Sequence, residues 1–328
     1  SNILLLDMHH IISDGVSMSL LIEEFTALYA GKELPVLRTR YKDYSEWRRS
    51  KQSTREMKQQ EEWWIDRFRE EAPVLELPYD YRRPAVQSFA GSSIEFHFTT
   101  GETAALKELA LKEETTLFLV LTALFNIMLS KVTGSEDILI GTPIAGRKHA
   151  DLERIIGMFV NTLVLRDFPS GEMAFITFLH NLRDRALQAF DNQDYPFEDL
   201  VERVAKGRDT SRNPLFDVVF AMQDMPAPDI RVSGLRLKTI DYEYSISKFD
   251  LTLTAREAGN RLGFTIEYST KLFKEETILR FKEYFKNIAA AVSNNPHIRL
   301  SEIEIISEQE KKRILTGFNG SRGDVPED

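Results

Sequence analysis

MHHIISDGVS, residues 8–17, sets two adjacent histidines ahead of an Asp-Gly pair, in a chain of 328 residues that holds only six histidines. Residues 3–6 before it are continuously apolar, as in a strand buried on both faces. After Asp14-Gly15, the residues Met18, Leu21, Ile22, Phe25, Leu28 and Tyr29 recur at the spacing of one helical face, with Ser17 placed to cap the start and Gly31 the end. The stretch therefore reads strand, turn, helix. Repeated downstream, such units point to an α/β chain built in layers.

Further along, a charged helix carrying Trp63, Trp64 and Phe68 is expected over about 54–71. LPYDYRRPAVQSFAGSS, 77–93, then loses helical periodicity and gathers Pro78, Pro84 and Gly91, the composition of a linker. Beyond it the pattern predicts a strand (IEFHF), a helix over 102–113 and a buried helix over 116–132. Strands follow at DILIGTP and FVNTLVLR, then a helix over 174–190 and a short one after Pro196. LFDVVFAMQ, a stretch near 235–243, FDLTLTA and LGFTIEYS read as strands, the last two joined by Gly259-Asn260 in a hairpin. A helix over 275–293 closes the pattern before Pro296. The tail after Ser307 is polar, as in a solvated connector.

Composition narrows the chemistry. Roughly 100–200 residues per domain suggests two lobes or one large domain, and 42% hydrophobic residues supply a core. The formal charge is −9 and no basic block is long enough to follow a phosphate backbone, so nucleic acid is excluded as an expected partner. Cysteine is absent, which removes thiolate nucleophiles and cysteine-ligated zinc and fits a cytoplasmic setting. The longest apolar stretch, LFLVLTALFNIMLS at 117–130, is shorter than the roughly 20 residues a membrane span needs. A domain rarely begins in a core strand, so the expectation is a fragment with Ser1-Asn2 as a cloning scar.

Taken alone, HHIISDG is open to a structural reading, since histidine is often a partly buried core residue. Adjacent strand residues face opposite ways, so of His9 and His10 at most one can face a given cleft, with the other turned to the core. No third ligand of suitable type lies nearby, so a metal is not expected. Asp14 can bond its own turn, or point inward to an arginine and hold the loop. Three later stretches stand out: IGMFVNTLVLR (156–166), with Asn161 inside an apolar strand, NQDYPFEDLV (192–201), and RDTSRNPLFDVVF (208–220), with Arg208 and Arg212 in a polar loop. YKDYSEW (41–47) is aromatic and helix-compatible. Each has an adequate structural explanation.

In this order, however, MHHIISDGVS, YKDYSEW, IGMFVNTLVLR, NQDYPFE and RDTSRNPL closely resemble five successive motifs of the condensation domains of nonribosomal peptide synthetases. SEQEKKRILTGFNGSRGDVPED is similar to the connector that runs toward an adenylation domain in that family. The resemblance implies a two-lobed, chloramphenicol acetyltransferase-like α/β fold whose N-terminal lobe is incomplete here. Residues 1–76 would be the remainder of that lobe, 77–91 the inter-lobe linker, 92–306 the C-terminal lobe and 307–328 the connector.

The implied reaction is amide formation between an upstream carrier-bound acyl or peptidyl thioester and the α-amine of a downstream aminoacyl thioester. The domain would bind no cofactor of its own. Phosphopantetheine arms would arrive on upstream and downstream peptidyl carrier domains, beside an adjacent adenylation domain. By motif position His10 would be catalytic, with the Gly15 N–H as oxyanion donor. His9, Asp14 and Arg212 would be structural, Arg212 as one candidate partner of Asp14, while Asn161 and Ser17 would line the substrate tunnel. Epimerisation, or a docking role without turnover, stand as alternatives.

Overall fold

The computed structural model describes residues 3, 5–205, 207, 209–223, 231–232, 235–236, 245–307, 310–312 and 315. A 3-10 turn, His10–Ile12, leads into α1 (Gly15–Tyr29), α2 (Tyr41–Lys51) and α3 (Arg55–Arg67). Then come β1 (Gly91–His97), α4 (Thr100–Lys112), α5 (Leu117–Thr133), β2 (Ile138–Ile144) and β3 (Asn161–Asp167). The chain continues through α6 (Phe175–Asp191), α7 (Phe197–Val204), β4 (Val218–Gln223), a small antiparallel pair β5 (Arg231–Val232) and β6 (Leu235–Arg236), β7 (Leu251–Ala258), β8 (Arg261–Ser269) and α8 (Glu275–Asn294).

Six strands form one mixed sheet in the order β1-β8-β7-β4-β2-β3. The β7–β8 hairpin turns on two residues, with Ala258 opposite Arg261 and Gly259 at φ 62°, the left-handed conformation that glycine accepts without strain. β4 runs parallel to both β2 and β7, with Gly141 opposite Val219 and Phe220 opposite Leu253. That parallel arrangement puts the ends of β2 and β4 at one edge of the sheet and their starts at the other.

α4, α5, α6 and α8 touch one another and lie against the sheet. α5 is the centre of this layer: every residue from Leu119 to Leu129 is buried, which is why its sequence is apolar on all sides. Thr116 caps its start and Gly134, at φ 72°, its end. A smaller apolar cluster of Leu152, Ile155 and Phe159 sits apart from the main core and receives Tyr41 and Tyr44 of α2, whereas Met57 and Trp64 of α3 join the main core.

Several expectations need correction. Of the strand expected at 3–6, the described Ile3, Leu5 and Leu6 are in no strand: Ile3 and Leu5 are 79% and 84% exposed, and no described strand lies alongside to pair with their backbone. The helix expected over 54–71 ends at Arg67, short of Ala72-Pro73, where proline disfavours helical geometry in its predecessor. Segment 77–90 has no regular structure but is bound along its length. Asp80 and Tyr81 donate to the Leu272 carbonyl, Gln87 N–H donates to Thr210, and Arg83 pairs with Asp250 under the Tyr79 hydroxyl. Of the strand expected near 235–243 only Leu235–Arg236 is described, and most of the 307–328 connector, like Arg208, lies outside the described residues.

Candidate active site

Asp14 is the residue on which the site is built. Its side chain caps α1 by accepting the Ser17 N–H at 2.8 Å, and it also accepts the Phe159 N–H at 3.1 Å. Arg147 closes the group, donating to both Asp14 oxygens at 3.1 and 3.3 Å. Burial alone would raise the Asp14 pKa; hydrogen bonding from Ser17 and Phe159 and the charge of Arg147 outweigh it and hold the carboxyl below its ordinary value.

Arg147 follows the end of β2, in the loop that leads to β3. Its other nitrogen donates to the carbonyls of Leu152 and Ile155, both at 2.6 Å, and its guanidinium lies 4.0 Å from the centre of the Phe159 ring. Gly146 beside it has φ +64°, and a Cβ there would stand 2.0 Å from the Phe159 carbonyl oxygen. Glycine is therefore required for the chain to bring Arg147 under Asp14. The expected alternative, Arg212, is at the opposite edge of the sheet, bonded to Asp217 and Glu76 at 2.7 Å each. Residues ahead of β4 cannot reach a loop that follows its parallel neighbour β2.

The histidines ride on this base. Asp14 and Ser13 are buried, whereas His9 and His10 are exposed. His9 does not enter the core as expected; it caps the 3-10 turn, its Nδ1 accepting the Ile11 N–H at 3.1 Å. The local backbone is a turn rather than a strand end, so the opposite-face argument does not apply. His10 Nδ1 lies 2.6 Å from the Ser13 carbonyl oxygen. A carbonyl can only accept, so Nδ1 carries the proton and the Nε2 lone pair is left for a reaction partner. Gly15 is the first residue of α1, its N–H is without a hydrogen-bond partner among the described residues, and a Cβ on it would meet nothing within 4 Å.

Two other expectations change. Ser17 neither caps α1 nor lines a tunnel: it is fully buried, and its hydroxyl contacts both backbone groups of Gly157 and the Arg147 guanidinium. Asn161 borders a cavity of about 260 Å³ between α2, α3 and the loop after β2, with Tyr44, Trp47, Gly146 and Lys148. Its amide is spoken for, however. The nitrogen donates to the Gln193 and Tyr195 carbonyls, and the oxygen accepts from Thr162 and Phe197. Both donors and both lone pairs are used, which is why this polar residue can sit in an apolar strand. A larger cavity, about 830 Å³, opens at the Arg212 edge beside Leu139 and Asp217, away from His10. Among the described residues no group of three or more His, Asp or Glu side chains is placed to hold a metal.

The condensation-domain family model matches residues 1–315. The chain belongs to the condensation-domain family. This condensation domain is 48% identical over 327 residues to surfactin synthase subunit 1 of Bacillus subtilis (strain 168), which it covers to 9%. Bacitracin synthase 3 of Bacillus licheniformis is 45% identical over 327 residues, with 5% of its length covered. The chain thus spans less than a tenth of these relatives.

Among solved structures, a four-domain nonribosomal peptide synthetase, holo-AB3403 bound to AMP and glycine, superposes with a TM-score of 0.83 at 22% identity, over 93% of this chain and 24% of that one. The first condensation domain of the calcium-dependent antibiotic synthetase, in complex with a substrate analogue, gives 0.72 at 18% identity, over 92% and 68%. The condensation domain has the chloramphenicol acetyltransferase-like α/β fold of these structures. No single helix among the described residues is long and apolar enough to cross a membrane.

Proposed function

We propose that this condensation domain forms an amide between two carrier-bound substrates in nonribosomal peptide synthesis, with His10 at the reaction centre. The observation that carries the reading is the His10 tautomer: Nδ1–H is bonded to Ser13, which leaves the Nε2 lone pair of this exposed residue for the amine, a few residues ahead of the Gly15 N–H. The α-amine nitrogen of the downstream aminoacyl thioester attacks the carbonyl carbon of the upstream thioester. Nε2 orients the amine and accepts its proton as the tetrahedral intermediate forms, and the Gly15 N–H donates to the developing oxyanion. The carbon–sulfur bond then breaks, and the upstream phosphopantetheine thiol leaves, protonated.

A free α-amine titrates around pH 8 and an ordinary imidazole around 6.5, so part of the amine is already neutral at working pH and needs orientation more than a strong base. Tethering both substrates supplies much of the acceleration, since aligned intramolecular reactions reach effective molarities of about 10⁵ M or more. The arms would come from upstream and downstream peptidyl carrier domains, with an adenylation domain reached through residues 307–328, all in the cytoplasm. Residues 1–76 and 92–306 would be the two lobes, and NQDYPFE is similar to the branch that takes an L-configured donor.

The test is His10→Ala in the intact synthetase with both carriers loaded. Dipeptide formation should fall by at least 10²-fold, the lower end of what a positioned proton acceptor contributes. Condensation at the parent rate would remove His10 from the mechanism.

A further inference from the structure

The loop ahead of β3 touches α1 in an unusual way. Ser17 Oγ donates to the Gly157 carbonyl at 2.8 Å and accepts the Gly157 N–H at 3.0 Å, so one hydroxyl holds both backbone groups of a residue 140 positions away. Arg147 adds a third bond at 3.0 Å, which uses the hydroxyl's one donor and both acceptor sites. From the other side the Tyr41 ring lies against Gly157, where a Cβ would come within 2.1 Å of it, and the Tyr41 hydroxyl donates to the Met158 carbonyl at 2.8 Å. Gly157 is thus gripped between α1 and α2.

We propose that Ser17, through its two-way bond to Gly157, is a positioning residue that fixes the direction in which the His10 imidazole points; the proposal rests on the role given to His10 above. Holding the fold together does not require it. Asp14 caps α1 and Arg147 anchors Asp14, and Arg147 is itself held by Leu152, Ile155 and Phe159. The bonds from Phe159 and Arg147, however, all grip α1 at its cap, Asp14, and hold the turn beyond it at one point.

Packing restrains the start of α1 lightly, since Ser17 and Leu20 are the buried residues of the helix and its ion pair, Glu23 with Arg154, lies further along. A second anchor one turn along fixes the direction of that turn. The constraint then runs back through Asp14 to Ser13, whose carbonyl holds His10 Nδ1 at 2.6 Å. A shift of that carbonyl turns the imidazole and releases its tautomer. Misplacement of a reacting group by about 1 Å can lower a rate by 10²-fold.

Ser17→Ala in the intact synthetase, with both carriers loaded, tests this. Single-turnover amide formation should fall at least tenfold while the KM for the acceptor carrier is unchanged. Nitrogen-15 NMR of His10 should change from one fixed Nδ1–H tautomer to an exchanging mixture. If Ser17→Ala lowers the melting temperature but leaves both the rate per folded molecule and the His10 spectrum as in the parent, Ser17 is only structural and the proposal fails.

Should the alanine variant not fold, Ser17→Cys decides. It keeps a weaker donor and acceptor near the same volume, and is expected to give an intermediate rate and a partly mixed tautomer; parent values in both would overturn the idea. The spectrum needs no turnover. Loss of the tautomer alongside a fully active His10→Ala would leave the Ser17 joint standing and reject the catalytic reading instead.

Discussion

At the scale of single residues, Asp14 and Arg147 dominate, and the pair sets a measurable pH dependence. Both side chains are buried, at 0% and 5% exposure. Arg147→Ala leaves a carboxylate in the interior without its cation, and removal of one member of a buried pair costs about 3–5 kcal/mol, readable by urea denaturation at pH 7. Because the folded-state pKa of Asp14 is depressed, its stabilisation is present above the ordinary carboxylate value and lost as pH falls through the lowered folded value. The gap between parent and Arg147→Ala should narrow over that window. It should not close, since Arg147 still donates to the Leu152 and Ile155 carbonyls. Asp14 as an anchoring carboxylate was legible from its place before a helix. Its partner was not, because 133 residues separate the two and nothing local marks one arginine among several. The nearest available signal was Gly146-Arg147 at the end of a strand, a glycine that lets an arginine approach a backbone closely.

Among elements, the helices were the most legible, since each carries its own periodicity and caps: Thr116 and Gly134 bracket α5 much as its apolar run suggests. The strand expected at 3–6 failed for the converse reason. A strand is completed by its neighbours, and the apolar run says nothing of whether one is present. β3 shows how far a single polar residue can tie elements together. Asn161 joins it to the turn before α7 and to the first residue of that helix through three hydrogen bonds, with a fourth to its neighbour Thr162. Asn161→Leu should orphan the Thr162 and Phe197 N–H groups and the Gln193 and Tyr195 carbonyls, at about 1–3 kcal/mol for each that water cannot reach. Hydrogen exchange should report the loss first at Phe197, while α5 amides keep their protection until global unfolding.

For the molecule as a whole, the chloramphenicol acetyltransferase-like α/β fold was legible only through the ordered set of motifs, while the strand order was hidden. β1 pairs with β8, His97 with Gly263 and Gly91 with Ser269, far apart in sequence, and β4 enters between β2 and β7; neither pairing leaves a local trace. Exposed apolar side chains are frequent within the first 36 residues: Ile3, Leu5, Leu6, Ile11, Ile12, Leu28 and Val36 are all at least 50% exposed. Surfaces of this kind associate. This 328-residue chain should therefore self-associate in sedimentation velocity as its concentration rises, and Leu5→Lys with Ile11→Lys should return it to the monomer.

The bound segment 77–90 has one more consequence, for how such domains are recombined. Its composition invites the choice of these residues as a splice point between two synthetases. Yet Tyr79 and Arg83 lie on one side of any cut made after them, and Asp250, Ser211 and Leu272, which they or their neighbours hold, lie on the other. A chimera joined there would bring together halves of an ion pair inherited from different parents, so the segment and residues 209–273 are best treated as a single heritable unit.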